Sequence, residues 1–399
     1  MIIEIIFALV FGVIVGTVTG LTPGIHINLI AGLTLANLGL FSGFSPLSIS
    51  VFIASLSVTH IFIDFIPSIF LGAPDEDSIL AILPGHKMLK AGKGGEAVAL
   101  LMQGSLVALI LGAVFIPVYI LFLAKMQAFI QNIIPYILIW VSLYIVLREK
   151  NPTTAFFSFA LAGILGFVTF NMPIKEPLLP LLTGLFGLAG ITTSIASKEK
   201  IPTQMKTNQT FILKKTSYLK SIGISSIIGP IFSFLPGIGS SHVSIVSAEI
   251  VKHDRREFLF LNGIAATFTM ILSFIAVYVI GKTRTGSAAT IKELLGTISF
   301  NSLFIIIISS IIAGVIAYII GVNITHRANF LLSKVNYARL NIIVLLILVV
   351  VNIFLTNALG ILILSVSTAL GIWTIRSGIK RINLMGSLLI PTILYYLAY

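Results

Sequence analysis

Apolar residues dominate this chain in runs of about twenty, the length that carries a helix across a hydrocarbon core of about 30 Å, and the runs recur from one end to the other. Clear spans lie near 97–123, 128–147, 153–172 and 177–195, and again near 300–323, 340–357, 359–376 and 382–398. Two further segments, about 1–40 and 220–251, are equally apolar but broken in the middle by Pro-Gly: "GLTPGIHINL" at 20–29 and "LPGIGSSHVS" at 235–244. The pattern predicts an all-α polytopic membrane protein with about ten spanning helices and two broken Pro-Gly helical hairpins.

The two breaks are copies. Gly16, Pro23, Gly24 and Ile25 match Gly229, Pro236, Gly237 and Ile238 at a constant offset of 213, and the later spans keep step. The chain therefore divides into a first membrane repeat, 1–196, a polar linker, 197–219, and a second repeat, 220–399. Lys198, Lys200, Lys206, Lys214 and Lys215 in and beside the linker place it in the cytoplasm by the positive-inside rule. Counting outward puts Lys87, Lys90, Lys93, Arg148, Lys150, Arg327, Lys334, Arg339 and Arg376 on the same side, but the loop near Lys125 outside. Its counterpart near Arg327 lies inside, so the halves are expected to be inverted. That count closes only if each Pro-Gly segment enters and leaves by one face as a re-entrant hairpin, with both termini outside. Inverted repeats with interrupted helices characterise secondary transporters, whose substrate site lies near the midplane.

Composition narrows the chemistry. The chain of 399 residues is 57% hydrophobic and 10% charged, with a mean hydropathy of +1.10, which leaves no room for a separate soluble domain. Cysteine is absent, excluding disulfides, thiolate metal sites and cysteine nucleophiles. The net charge of +12 sits in short loops, where it sets topology and does not point to nucleic acid. Residues 2–19 carry Glu4, not a basic start, and read as mature structure, not a signal peptide. No nucleotide fingerprint, metal-ligand cluster or catalytic constellation appears, so an enzyme is not expected and no cofactor is called for beyond a coupling Na+ or H+.

The breaks carry the binding chemistry. A proline ends a helix, a glycine brings bare backbone close to a ligand, and the fresh helix that follows presents free N–H groups and a positive dipole end to an anion. Candidate substrate contacts are Pro23, Gly24, Ile25, His26 and Asn28 in the first half and Pro236, Gly237, Gly239, Ser240 and Ser241 in the second; a proline-kinked buried helix is the plainer reading of either copy alone. A fainter repeat aligns "FIDFIPSIFLGAPDEDSI" (62–79) with "VIGKTRTGSAATI" (279–291), Ser78 and Ile79 matching Thr290 and Ile291 at an offset of 212, each read as a small-residue turn following a span, another hairpin tip or unwound segment. Arg284 and Ser287 suit an anion, while Asp75 and Asp77 suit a cation; the two tips also fit a gate, or plain solvated loop ends. Asp64 and His60 lie one turn apart on an apolar span and read as ion-coupling residues, with a satisfied interior histidine as the alternative for His60. Asn262 and Thr267 are lesser candidates.

These motifs resemble the TctA family, the large membrane subunit of tripartite tricarboxylate transporters. The likeness rests on Gly-x6-Pro-Gly-Ile at the start, "LPGIGSS" in the second half, and "IPSIFLGAPDEDSILAILPGHKMLKAGKGGEAV" at 66–98. Within the last, Gly85, Lys87, Lys90, Gly92, Gly95 and Ala97 follow the family's Gly- and Lys-rich run, with Pro84 just ahead of it instead of inside it. The sequence is similar to a compact archaeal branch of that family. The resemblance implies a carrier for a small organic anion such as a carboxylate, integral to the cytoplasmic membrane, with a small membrane subunit or a second copy as partner. A polyprenyl-phosphate translocase, another inverted Pro-Gly design, is the alternative, its ligand a lipid phosphate.

Overall fold

The computed structural model describes the chain apart from residues 1, 23–26, 37, 42, 73–80, 175, 197–203, 205–212, 233–239, 252, 282, 284, 333–336 and 399. The first half contains α1 (Ile2–Leu21), α2 (Ile27–Ala36), α3 (Pro46–Leu71), α4 (Ile82–Lys90), α5 (Gly94–Val114), α6 (Ile116–Leu147), α7 (Pro152–Phe170), α8 (Leu178–Leu182), a π-helical stretch at Thr183–Leu188, and α9 (Ala189–Ala196). The second contains α10 (Lys215–Phe232), α11 (Ser240–Ile250), α12 (Arg255–Ile280), α13 (Gly286–Leu295), α14 (Phe300–Leu332), α15 (Tyr337–Leu355), α16 (Ala358–Arg376), a 3-10 turn at Arg381–Met385, and α17 (Gly386–Ala398). Among the described residues there is no strand.

Eight helices are long and apolar enough to cross a membrane, and three shorter apolar ones lie at Pro135–Leu147, Leu178–Thr193 and Asn341–Leu355. They make the chain an all-α polytopic membrane protein, the class that the pattern predicts. Two local expectations fail. The turn expected near Lys125 is helical, because Pro117 in the first turn of α6 fixes the break at Phe115 instead. The segment aligned with the acidic loop is in part the helix α13, whose start Thr285 caps by accepting from the Ala288 N–H (3.1 Å).

α1 and α3 lie side by side and run in the same direction. Gly12, Gly16 and Gly20 rest on the backbone carbonyls of Phe52, Leu56 and His60, and a Cβ at any of the three would stand only 2.6–2.9 Å from that oxygen. Glycine every fourth residue keeps one helix face bare, which is how membrane helices approach most closely. At their common starting end Ser48 Oγ donates to Glu4 Oε2 (3.1 Å) and Phe7 stacks on Phe44. Two parallel neighbours in one chain require the segment between them to double back, and α2 belongs to that return. Because Gly20 meets His60, past the middle of the 26-residue α3, the rising arm stops partway along the helix it leans on.

The second half repeats this arrangement. α10 and α12 run parallel, with Ser217 Oγ donating to Glu257 Oε1, Tyr218 against Phe260 at 4.4 Å between ring centroids, and Gly229 under the Phe268 ring. α11 returns between them, tied by Ser244 Oγ to Asn262 Oδ1 (2.8 Å). The bond at the starting end is the same in both halves with its partners exchanged: Glu4 and Ser48 become Ser217 and Glu257.

The two units point in opposite directions. Gly94, the start of α5, packs on Phe70 at the end of α3, and Glu96 pairs with Arg256 at the start of α12 (2.6 Å), so α12 begins where α3 ends. α14 then runs along α3, with Gly314 against Val58 and Phe62, and against α5, with Gly314 on Leu109 and Gly321 on Met102. Partners are exchanged between halves: α5 packs on α12, α14 on α3, α7 on α17, and α16 on the π-helical stretch. Each contact is closed by glycine, as where Gly263 meets the Leu101 carbonyl and Gly386 the Phe159 carbonyl.

Gly263→Val is therefore expected to lower stability by at least about 1–3 kcal/mol, since the new side chain overlaps a backbone carbonyl that has no room to retreat. Gly223→Ala, in open space on α10, should be neutral or stabilising by up to about 1 kcal/mol. Thermal unfolding of the two variants in detergent checks the contrast.

Candidate functional site

α3 is the most enclosed helix of the molecule, with every residue from Ser48 to Phe70 buried. Down it runs a polar stripe, Ser57, His60, Asp64 and Ser68, at steps of three, four and four residues, which is one helix face. Placing an ionisable pair there is costly unless it is paired or put to use, and the neighbours are polar in step with it. Thr19 at the end of α1 meets His60 Nδ1 through its Oγ1 (3.0 Å). The same hydroxyl also donates to the Gly16 carbonyl (3.2 Å). Ser68 Oγ donates to Asp64 Oδ2 (3.2 Å). Ser57 Oγ lies 2.6 Å from Ser287 Oγ in the first turn of α13.

The structure thus brings His60, Asp64 and Ser287 together along one face, at the level of Gly20 near the end of α1. Thr19, Ser57 and Ser68 complete the stripe and escaped the sequence reading, although the three- and four-residue spacing of the α3 polar positions was there to be read. Ser240, the first residue of α11, is fully buried in the other half, its carbonyl accepting from Ser244 (3.1 Å), and Asn262 lies beside it on α12. Pro23, Gly24, Ile25, His26, Asp75, Asp77, Pro236, Gly237, Gly239 and Arg284 lie outside the described residues, as do the side chains of Asn28 and Ser241. Among the described residues no group of three or more His, Asp or Glu stands close enough to hold a metal ion.

α12 carries the matching stripe in neutral form. The helix starts, capped by Ser45 and Asp254, set an offset of 209, which aligns His60 with Thr269 and Asp64 with Ser273. Both counterparts are buried, Thr269 donating to the Ala265 carbonyl (2.8 Å) and Ser273 lying 3.2 Å from the Thr285 hydroxyl.

A second polar knot lies at the end of α3. Gln204, in the linker and 7% exposed, accepts from the Gly94 N–H (2.9 Å) through Oε1 and donates through Nε2 to the Leu89 carbonyl (3.1 Å). One amide thereby satisfies an unpaired N–H at the start of α5 and a carbonyl in the last turn of α4. Beside it Gly72 ends α3 in the left-handed conformation (φ 67°), its backbone against the His86 ring. Nothing in the sequence marks Gln204, because these two bonds go to backbone more than a hundred residues away.

Three comparisons place the chain among known proteins. The sequence profile described as "Tripartite tricarboxylate transporter TctA family" matches residues 6–386. An uncharacterized protein of Methanocaldococcus jannaschii is 32% identical over 394 residues, covering 94% of this chain and 95% of its own length. No solved structure matches.

Gln204→Leu is expected to destabilise the protein by about 1–3 kcal/mol, because the Gly94 N–H is left buried without its acceptor, while the Leu89 carbonyl keeps only its bond from the Gly92 N–H (3.0 Å). Thermal unfolding, with faster amide exchange at Gly94, is the check.

Proposed function

The chain belongs to the tripartite tricarboxylate transporter TctA family, and from that premise we propose that it is a secondary transporter moving a small organic anion of the carboxylate class, driven by a Na+ or H+ gradient. Members of this family are membrane transporter components that act with partner subunits. For this chain the partner is a small membrane subunit or a second copy.

The observation that carries the proposal is the opposed direction of two like units. α1 with α3 and α10 with α12 each form a parallel pair with a returning segment between, and α12 begins where α3 ends. We read the halves as an inverted repeat whose hairpins rise from opposite faces, with the Pro-Gly corners as the anion site. Helix starts inside a low-dielectric layer favour negative charge, and alternating access follows from moving one set of elements against the other around that site. Pro23, Gly24, Ile25, His26, Asn28, Pro236, Gly237, Gly239, Ser240 and Ser241 would line it, with Arg284 and Ser287 approaching from the α13 end and Asp75 and Asp77 as further cation ligands.

A thermal-shift screen of purified protein against mono-, di- and tricarboxylates and short prenyl phosphates tests the reading. A carboxylate at a hundred times its Kd should raise the midpoint by about 3 °C; stabilisation by a prenyl phosphate alone overturns the carrier in favour of a lipid-phosphate translocase. In proteoliposomes supplied with the stabilising carboxylate, Gly24→Val and Gly237→Val should each abolish uptake while the protein still inserts, and full uptake in either removes the backbone site.

A further inference from the structure

Three helices of the second half, α10, α11 and α12, meet along a seam lined by small polar side chains. Ser217, Ser221, Ser225 and Gly229 of α10 are four residues apart and share one face. Both ends of that face touch α12, Ser217 at Glu257 and Gly229 at Phe268, so Ser221 and Ser225 face α12 between them. Asn262 of α12 lies at that level and bonds to Ser244 of α11 (2.8 Å), and Ser247 follows one turn along the same face of α11. Ser221, Ser225, Ser244, Ser247 and Asn262 are all fully buried. We propose, on the reading of this chain as a carrier of organic anions, that Ser221, Ser225, Ser247 and Asn262 form the subsite for a carboxylate group of the transported molecule.

Four polar atoms at this seam have no hydrogen-bond partner among the described residues: the hydroxyls of Ser221, Ser225 and Ser247, and the Nδ2 of Asn262. Other buried hydroxyls bond back to the carbonyl one turn earlier, as Ser57 does to Ile53 (2.7 Å) and Ser310 to Ile306 (2.8 Å). Asn262 engages Ser244 with one end of its amide, and whichever way the amide is turned its other end is left over. A buried polar group without a partner is costly, and a bound oxyanion meets several at once. Ser55 and Thr59 of α3 are also unpaired, but each is pressed against a glycine of α1, Gly12 and Gly16, where a Cβ already stands too close.

Packing does not require these polar groups. At the offset of 213, Ala8, Gly12 and Ala31 of the first half stand where the second has Ser221, Ser225 and Ser244, and at the offset of 209 Ile53 stands where it has Asn262. Ala8, Ala31 and Ile53 are buried and apolar. Thr34, which matches Ser247, bonds back to the Ile30 carbonyl (2.8 Å).

The surroundings favour an anion over a cation. α11 begins at Ser240, one turn before Ser244, so the positive end of its dipole and the first N–H groups, which have no partner inside a helix, open at this depth. Hydroxyls add further donors, and a carboxylate that accepts several hydrogen bonds keeps its charge without a counter-ion. A cation would seek an acid. Beyond Glu257, which is held by Ser217 and Lys220 at the start of α12, the described side chains of α10, α11 and α12 include none.

Thermal-shift titrations of the purified full chain with acetate, succinate and citrate, in choline and in Na+ buffers, test the subsite. The carboxylate that stabilises the unaltered chain should lose about tenfold or more in apparent affinity in Ser225→Ala and in Asn262→Leu, as expected for a lost hydrogen bond to a charged group, and lose none in Thr34→Val. Without ligand, Ser221→Ala and Ser225→Ala should unfold at the temperature of the unaltered chain or above it, since each removes an unpaired buried hydroxyl. Ligand-free midpoints that fall in both would mean that the hydroxyls serve the fold, and affinity retained in Ser225→Ala and Asn262→Leu that the carboxylate binds elsewhere; either overturns the subsite and leaves the carrier standing. Stabilisation by Na+ but not choline that disappears in the same variants overturns it in favour of a cation site. No shift with any of the three carboxylates overturns subsite and anion reading together. Affinity lost in the variants, alongside no uptake of that carboxylate by proteoliposomes of the unaltered chain, refutes the carrier and leaves the subsite standing. Should Asn262→Leu fail to fold, the two serine variants decide.

Discussion

A helix that stops inside a hydrocarbon layer leaves backbone N–H and C=O groups with no water to turn to, and something in the protein must cover them. Much of this architecture follows from meeting that requirement twice. Each hairpin arm leans on a long helix of its own half, α1 on α3 and α10 on α12, and each of those helices is walled in on every side. The glycines at positions 12, 16 and 20 let α1 settle backbone to backbone on α3, so that the end of the arm is sheltered by a helix and not by lipid. The cost is a buried polar face, since the groups opposite the turn must offer hydrogen bonds as well as cover.

The exchange of partners between halves answers the same requirement at larger scale. α5 closes on α12 and α14 on α3, so neither half contains its own complete wall. Where the halves differ, the difference is chemical. Gly12 of α1 corresponds to Ser225 of α10, the exchanged Glu and Ser at the helix starts keep one bond with its ends reversed, and the α3 stripe carries His60 and Asp64 where the α12 stripe carries Thr269 and Ser273.

Much of this was legible in the sequence because lipid imposes simple rules. Apolar length gave the long spanning helices, while the repeated Pro-Gly lies outside the described residues. His60 and Asp64 stood out because an ionisable residue in an apolar run has few innocent explanations. Thr19, Ser57 and Ser68 passed unnoticed, since hydroxyls cost little in a helix, where they bond back to their own carbonyls. Gln204 was invisible because its bonds to Gly94 and Leu89 go to backbone remote in sequence, which no side-chain pattern encodes. The break at Phe115 was misplaced at Lys125: a lone lysine was read as a loop, whereas Pro117 decides where the helix restarts. The loop reading of 283–291 failed similarly, its small residues serving as a cap and first turn for α13.

The account stands on the opposed direction of α3 and α12. The chain has no cysteine, so a single cysteine placed at Phe44, just before α3, or at His253, just before α12, reports on its side of the membrane when a membrane-impermeant maleimide is added to intact cells. The account predicts that the cysteine at 44 is labelled from outside and the one at 253 only after the cells are opened. Labelling of both from the same side would mean that the two units point the same way, and the shared site between them would be lost.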